Sequence, residues 1–183
     1  MKHSHIDMYE ALLKQSLLIP ELVTKSAHKD NNFLEYLNQW LLDTEAIMKK
    51  FNISKCSEIA GLRSKIIATS YSAVPKISKK KQILSSATSI IYDAQSTVLS
   101  ILEPIEHRLA EAKASIRQLL GVAYQANMID PNMDFNQMIP FLWATFSNHK
   151  QLKGVTSNIL VLIDRSDALR ILAEEMDICM LEK

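Results

Sequence analysis

Histidines and paired carboxylates are the groups with which this chain could do chemistry, and their spacing decides whether they can. The five histidines are His3, His5, His28, His107 and His149. A Met-Lys-His amino terminus, with His3 third, can wrap Cu2+ or Ni2+ with its amine, backbone amides and imidazole. Chain ends are usually poorly ordered, so adventitious binding is the preferred reading. Glu103 and His107 stand four apart, as a helical metal pair would. A surface pair beside Pro104 is the commoner meaning of that spacing. A di-iron bundle needs Glu-x-x-His units, and the chain has none. Cys56 and Cys179 have no neighbouring Cys or His to complete a zinc site. The expectation is no metal and no cofactor.

Catalytic groups fare no better. The 3 glycines are Gly61, Gly121 and Gly154, too few and too scattered for a phosphate loop. A serine-hydrolase elbow is absent as well. Helical-bundle ribonucleases carry an arginine a short way before a histidine on one helix, and no arginine here stands so. Asp164 with Asp167, and Glu174 with Glu175, are carboxylate pairs. On a C-terminal helix they read as capping groups and solvated face rather than as an acid and a base. No catalytic residue is assigned, and the chain is expected not to be an enzyme.

Charge offers a binding site instead. The net charge is +1, but residues 49–81 hold nine basic residues, Lys49, Lys50, Lys55, Arg63, Lys65, Lys76, Lys79, Lys80 and Lys81, against the single acid Glu58. Such a segment could meet nucleic-acid phosphates and release their counterions, with Tyr71 stacking on a base. The competing and preferred reading is a solvated connector balancing acidic helices of the same fold. The stretch Cys56 to Ser64 is unusually dense in polar side chains for a plain helix, and the sequence provides no account of it.

These residues must be positioned by helices. The chain has 183 residues, of which 48% are hydrophobic and 22% charged, with only 3 Gly and 5 Pro. That composition supplies a core, and the shortage of turn residues requires few, long elements. The pattern predicts an all-α fold, a bundle of about 6–7 helices in a single domain over 1–183, with possible sub-units 1–75, 78–126 and 134–183. Pro20 interrupts the first helix, and Asp134 with Gln137 forms a capping box. Residues 159–163 form an apolar run that a strand could also use. Without a partner strand its backbone groups would go unpaired, so a helix is preferred.

The clearest signal is a seam. Leu84, Ala87, Ile91, Ala94, Val98, Ile101, Ile105, Leu109, Ala112, Ile116, Leu119 and Ala123 follow one another by steps of 3 and 4, with one irregular step beside Pro104. This is heptad-like spacing, and it predicts one long kinked central helix over about 79–124. At 1.5 Å per residue about 40 such residues span roughly 60 Å. The seam packs either inside the bundle or against a partner. In the second case Leu84, Ile91, Val98, Ile101, Leu109 and Ile116 would carry the contact.

Two scattered cysteines suit a reducing compartment, the polar start MKHSHIDMYEALLKQ has no apolar signal core, and no apolar run is long enough for a bilayer. A cytoplasmic protein without a membrane segment is expected. The leading functional expectation is a non-enzymatic interaction protein, either an accessory or adaptor subunit of a larger assembly or a self-associating bundle. The alternative is a nucleic-acid-binding subunit using residues 49–81, and an atypical helical-bundle nuclease is a distant third.

Overall fold

The computed structural model describes residues 3–71, 79–130 and 133–181, and the side chains of 3–68, 84–130 and 133–176. These residues are all-α, with no strand among them. The helices are α1 His5–Ser16, α2 Ile19–Ala27, α3 Phe33–Lys50, α4 Cys56–Tyr71, α5 Lys79–Gln125, α6 Phe135–Asn148, α7 Lys153–Leu162 and α8 Arg165–Leu181. Only Leu17 and Leu18 separate α1 from α2, because Pro20 sits in the first turn of α2, where its missing N–H costs no hydrogen bond. The expected long helix is present: α5 runs 47 residues and passes through Pro104 without a break. Residues 159–162 lie in α7, and Ile163 caps it in an extended conformation.

The chain divides into two compact units. One is Met8–Pro104; the other combines Met1–Asp7 with Ile105–Lys183. The division therefore falls inside α5, at Pro104, and at neither polar break flanking that helix.

In the Met8–Pro104 unit the core forms because each helix repeats apolar residues at helical spacing. On α3, Phe33, Leu37, Trp40, Leu41 and Met48 are buried. They meet Leu12 and Leu22 from the first two helices, Ile59 and Leu62 from α4, and Ile91, Ala94 and Val98 from α5. Side chains as fully buried as Leu12, Leu37 and Leu41 contribute about 1.5–3 kcal/mol each by leaving water. The Trp40 indole N–H donates to the Gln15 carbonyl at 2.9 Å, joining α3 to the end of α1. In the second unit Ala112, Ile116, Leu119 and Ala123 of α5 meet Leu142, Trp143 and Phe146 of α6, Ile159 of α7 and Leu172 of α8.

Helix ends are closed by side chains and by left-handed turns. Asp134 accepts the Asn136 N–H at 2.9 Å, so the predicted cap of α6 is present. At α1, Ser4 Oγ accepts the Asp7 N–H at 3.0 Å, while the buried Asp167 carboxylate accepts from Ser4 Oγ and the His5 N–H, both at 2.6 Å. One carboxylate of α8 thus closes the start of α1. Helices α2, α3 and α5 end at Lys29, Asn52 and Asn127, with φ of 55°, 54° and 51°. Each is followed by a bond reaching back over the last turn, from Asp30 N to Lys25 O, Ile53 N to Met48 O and Met128 N to Ala123 O. Asparagine tolerates this left-handed conformation. Lysine does not, and there it costs about 1–2 kcal/mol.

Two outcomes follow. Lys29→Gly raises the urea midpoint, because glycine removes the steric penalty. Asp167→Ala lowers stability by about 1–3 kcal/mol in the same assay, since the α1 donors lose their acceptor.

Candidate functional site

Among the described residues, the basic side chains of 49–81 are engaged within the chain. Lys49 Nζ donates to Glu45 at 2.5 Å, and the Arg63 guanidinium lies 3.3 Å from the other Glu45 oxygen. Lys55 Nζ donates to Ser100 Oγ at 2.5 Å, and the Lys50 ammonium stands 5.1 Å from the centre of the Phe51 ring. Lys65 is also engaged with its own chain. Lys79, Lys80 and Lys81 occupy the first turn of α5, but their side chains, that of Tyr71, and the whole of Lys76 lie outside the described residues.

The polar density of Cys56–Ser64 now has a physical reason. This stretch is the start of α4, and its polar groups tie α4 to its neighbours. Arg63 reaches Glu45 of α3, Cys56 Sγ points at the Glu45 carbonyl at 3.7 Å, and Glu58 accepts from Thr97 of α5 at 3.3 Å.

Two buried glutamates are the groups that the sequence did not single out as buried. Glu45 is one. The hydrogen bond from Lys49 holds its carboxyl below the ordinary 4.5; burial pushes the other way, and the charges of Lys49 and Arg63 tip the balance. Glu175 is the other, and its burial corrects the expectation of a solvated face. It is 2% exposed, with Lys113 Nζ at 2.8 Å, Arg117 Nη2 at 3.2 Å and a second bond from Arg117 Nε. Burial is the strongest influence on Glu175 and acts upward, yet the hydrogen bonds and charges of Arg117 and Lys113 together outweigh it and leave the carboxyl below 4.5. Both clusters tie helices together, Glu45 joining α3 to α4 through Arg63 and Glu175 joining α8 to α5 through Lys113 and Arg117. Glu174 is exposed and pairs with Arg170 at 3.3 Å. Asp164 and Asp167 are capping groups, as expected: Asp164 accepts the Asp167 N–H at 2.8 Å. Glu103 and His107 are both exposed. Among the described residues no three His, Cys, Asp or Glu side chains gather as a metal site would require, and no helix is long and apolar enough to cross a membrane.

The seam residues lie in the cores of the two units. Ile91, Val98 and Ile116 are buried, while Leu84, Ile101 and Leu109 are half-buried against the same clusters. Packing inside the chain therefore takes up this face of α5. The opposite face is the feature that sequence reasoning missed. Within the Met8–Pro104 unit, Ser85, Ser89, Tyr92, Ser96, Leu99 and Glu103 are all exposed. Their steps of 4, 3, 4, 3 and 4 keep them on one stripe. Tyr92 is 59% exposed and Leu99 39%. Two grooves flank the stripe. One, of about 370 Å3, lies between α2 and α5 and is lined by Val23, Ala27, Lys29, Leu84, Thr88 and Tyr92 among others. The other, of about 460 Å3, runs past Tyr92, Ser96, Leu99 and Glu103. The signal that could have found the stripe is in the sequence: residues 84–102 carry one charge, Asp93, on a helix that buries only one side.

No family model, curated protein or solved structure matches the chain.

The buried glutamates make a pH prediction. A carboxyl depressed in the folded state stabilises fully above 4.5, and this contribution is lost as pH falls through the depressed folded value. Glu175→Gln is therefore less stable than the parent at neutral pH, and the gap closes on acidification well below 4.5. Urea midpoints measured across that range check it; a gap that stays constant would mean that the ion pairs do not set the acid limb.

Proposed function

We propose that this chain is a non-enzymatic interaction protein, an accessory or self-associating helical subunit working in the cytoplasm, and that its partner-binding surface is the outward stripe of α5. One observation carries the reading: between Leu84 and Leu102 the helix has a single charged residue, yet an entire face of it, including Tyr92 and Leu99, is open to solvent. A solvated helix face ordinarily carries several charges. Interfaces are depleted of charge at their centre and enriched in aromatic side chains, and a tyrosine flanked by small residues and grooves is a typical anchor.

The nucleic-acid reading has less support. Glu45 draws Lys49 and Arg63 into ion pairs within the chain, and Lys55 is hydrogen-bonded to Ser100. A cation already paired to a carboxylate releases fewer counterions when it meets a phosphate.

The test is the mass of the protein purified gently from its host, with and without nuclease. The expected result is a species heavier than the 20.8 kDa chain that resists nuclease and is lost in Tyr92→Asp/Leu99→Asp. Both positions are exposed, so circular dichroism of the double variant should match the parent. Binding should weaken at least about tenfold, as for the loss of an interface anchor. A heavy species that collapses with nuclease, or one indifferent to the double variant, would reject the proposed surface.

A further inference from the structure

We infer that the occupant of the α5 stripe is a second copy of this chain, docked antiparallel about a two-fold axis near Ala94. The inference rests on the interaction reading above and names its partner.

The stripe alternates large and small. Ser85, Ser89 and Ser96 are small, Tyr92 and Leu99 are large, and Glu103 closes one end. Two such stripes laid antiparallel, with Tyr92 against Ser96 of the partner subunit, also bring Leu99 against Ser89 of the partner subunit and Glu103 against Ser85 of the partner subunit. Every large side chain then meets a small one, which lets the helices approach closely and interdigitate. The two-fold axis makes each contact occur twice, as an interface between identical surfaces requires.

Charge selects the same register. Lys29 lines the groove beside Ser85, and Glu103 lies at the far end of the stripe. Among the described residues neither side chain has an ion-pair partner. In the antiparallel register each Glu103 arrives beside Lys29 of the partner subunit, which gives two symmetric ion pairs. Asp93, the one charge between Leu84 and Leu102, is exposed on one flank of the stripe, where the two-fold axis brings it near Asp93 of the partner subunit at the open edge of the contact. A parallel in-register pair would instead oppose Tyr92 to Tyr92 and Glu103 to Glu103, combining steric crowding with like-charge repulsion. Antiparallel alignment also places each helix dipole favourably against the other. The left-handed backbone of Lys29, where asparagine or glycine would be less strained, fits a side chain retained for an intermolecular contact.

The full chain, expressed and purified alone, should scatter light in micromolar solution as twice 20.8 kDa. Ser96→Arg places a long cation where Tyr92 of the partner subunit must sit, and should return the mass to that of one chain with unchanged circular dichroism. Lys29→Glu and Glu103→Lys should each weaken the dimer about tenfold or more, and the double swap should recover most of the loss. A dimer that survives Ser96→Arg, or charge variants that fail to rescue each other, would overturn the antiparallel register. A chain that is monomeric alone yet forms a Tyr92-dependent complex in its host would overturn self-pairing while leaving the interaction reading intact. A chain monomeric in both settings would overturn both.

Discussion

An α-helix has one circumference, and what one side buries decides what the other must do. Along α5 the seam through Ala87, Ile91, Ala94 and Val98 enters the Met8–Pro104 core, with none of these side chains more than 1% exposed. That burial fixes the rotation of the helix about its axis. Once the seam is inside, the stripe from Ser85 to Glu103 has to face out, whatever its composition. The surface proposed for a partner is thus a geometric consequence of the core.

The remaining polar chemistry serves this arrangement. Buried carboxylates act as clamps: Asp167 closes the start of α1 from α8, Glu45 joins α3 to α4 through Arg63, and Glu175 joins α8 to α5 through Lys113 and Arg117. Each brings a desolvation cost that its hydrogen-bonded partners must offset. Their contribution is largely to specify which helices meet, while the apolar clusters supply most of the driving force. A basic segment that looks like a binding site in the sequence is in part the other half of these clamps.

Much of the architecture was legible in the residues. Apolar spacing of 3 and 4 over Leu84–Ala123 required a long helix. Pro20 required a restart, because proline lacks an N–H, and Asp134 three residues before Gln137 marked a helix start. These are local rules, in which a residue and its neighbours within about one turn suffice. The polar stretch Cys56–Ser64 was opaque for the opposite reason: its partners, Glu45 and Thr97, lie 18 residues before Arg63 and 39 residues after Glu58. Nothing in a helical period reports a contact at that separation.

The sequence by itself determined the all-α class, the long helix, its apolar seam and the shortage of charge around that seam, because each depends on residue type at fixed helical spacing. Only the tertiary structure decided which side of α5 the core would take, that Glu175 and not Glu174 would be buried, and that Asp167 would cap a helix whose His5 lies 162 residues away in the chain. Those outcomes depend on which helices become neighbours. That is set by the joint packing of many side chains, and by the requirement that every buried charge and every helix end find a partner.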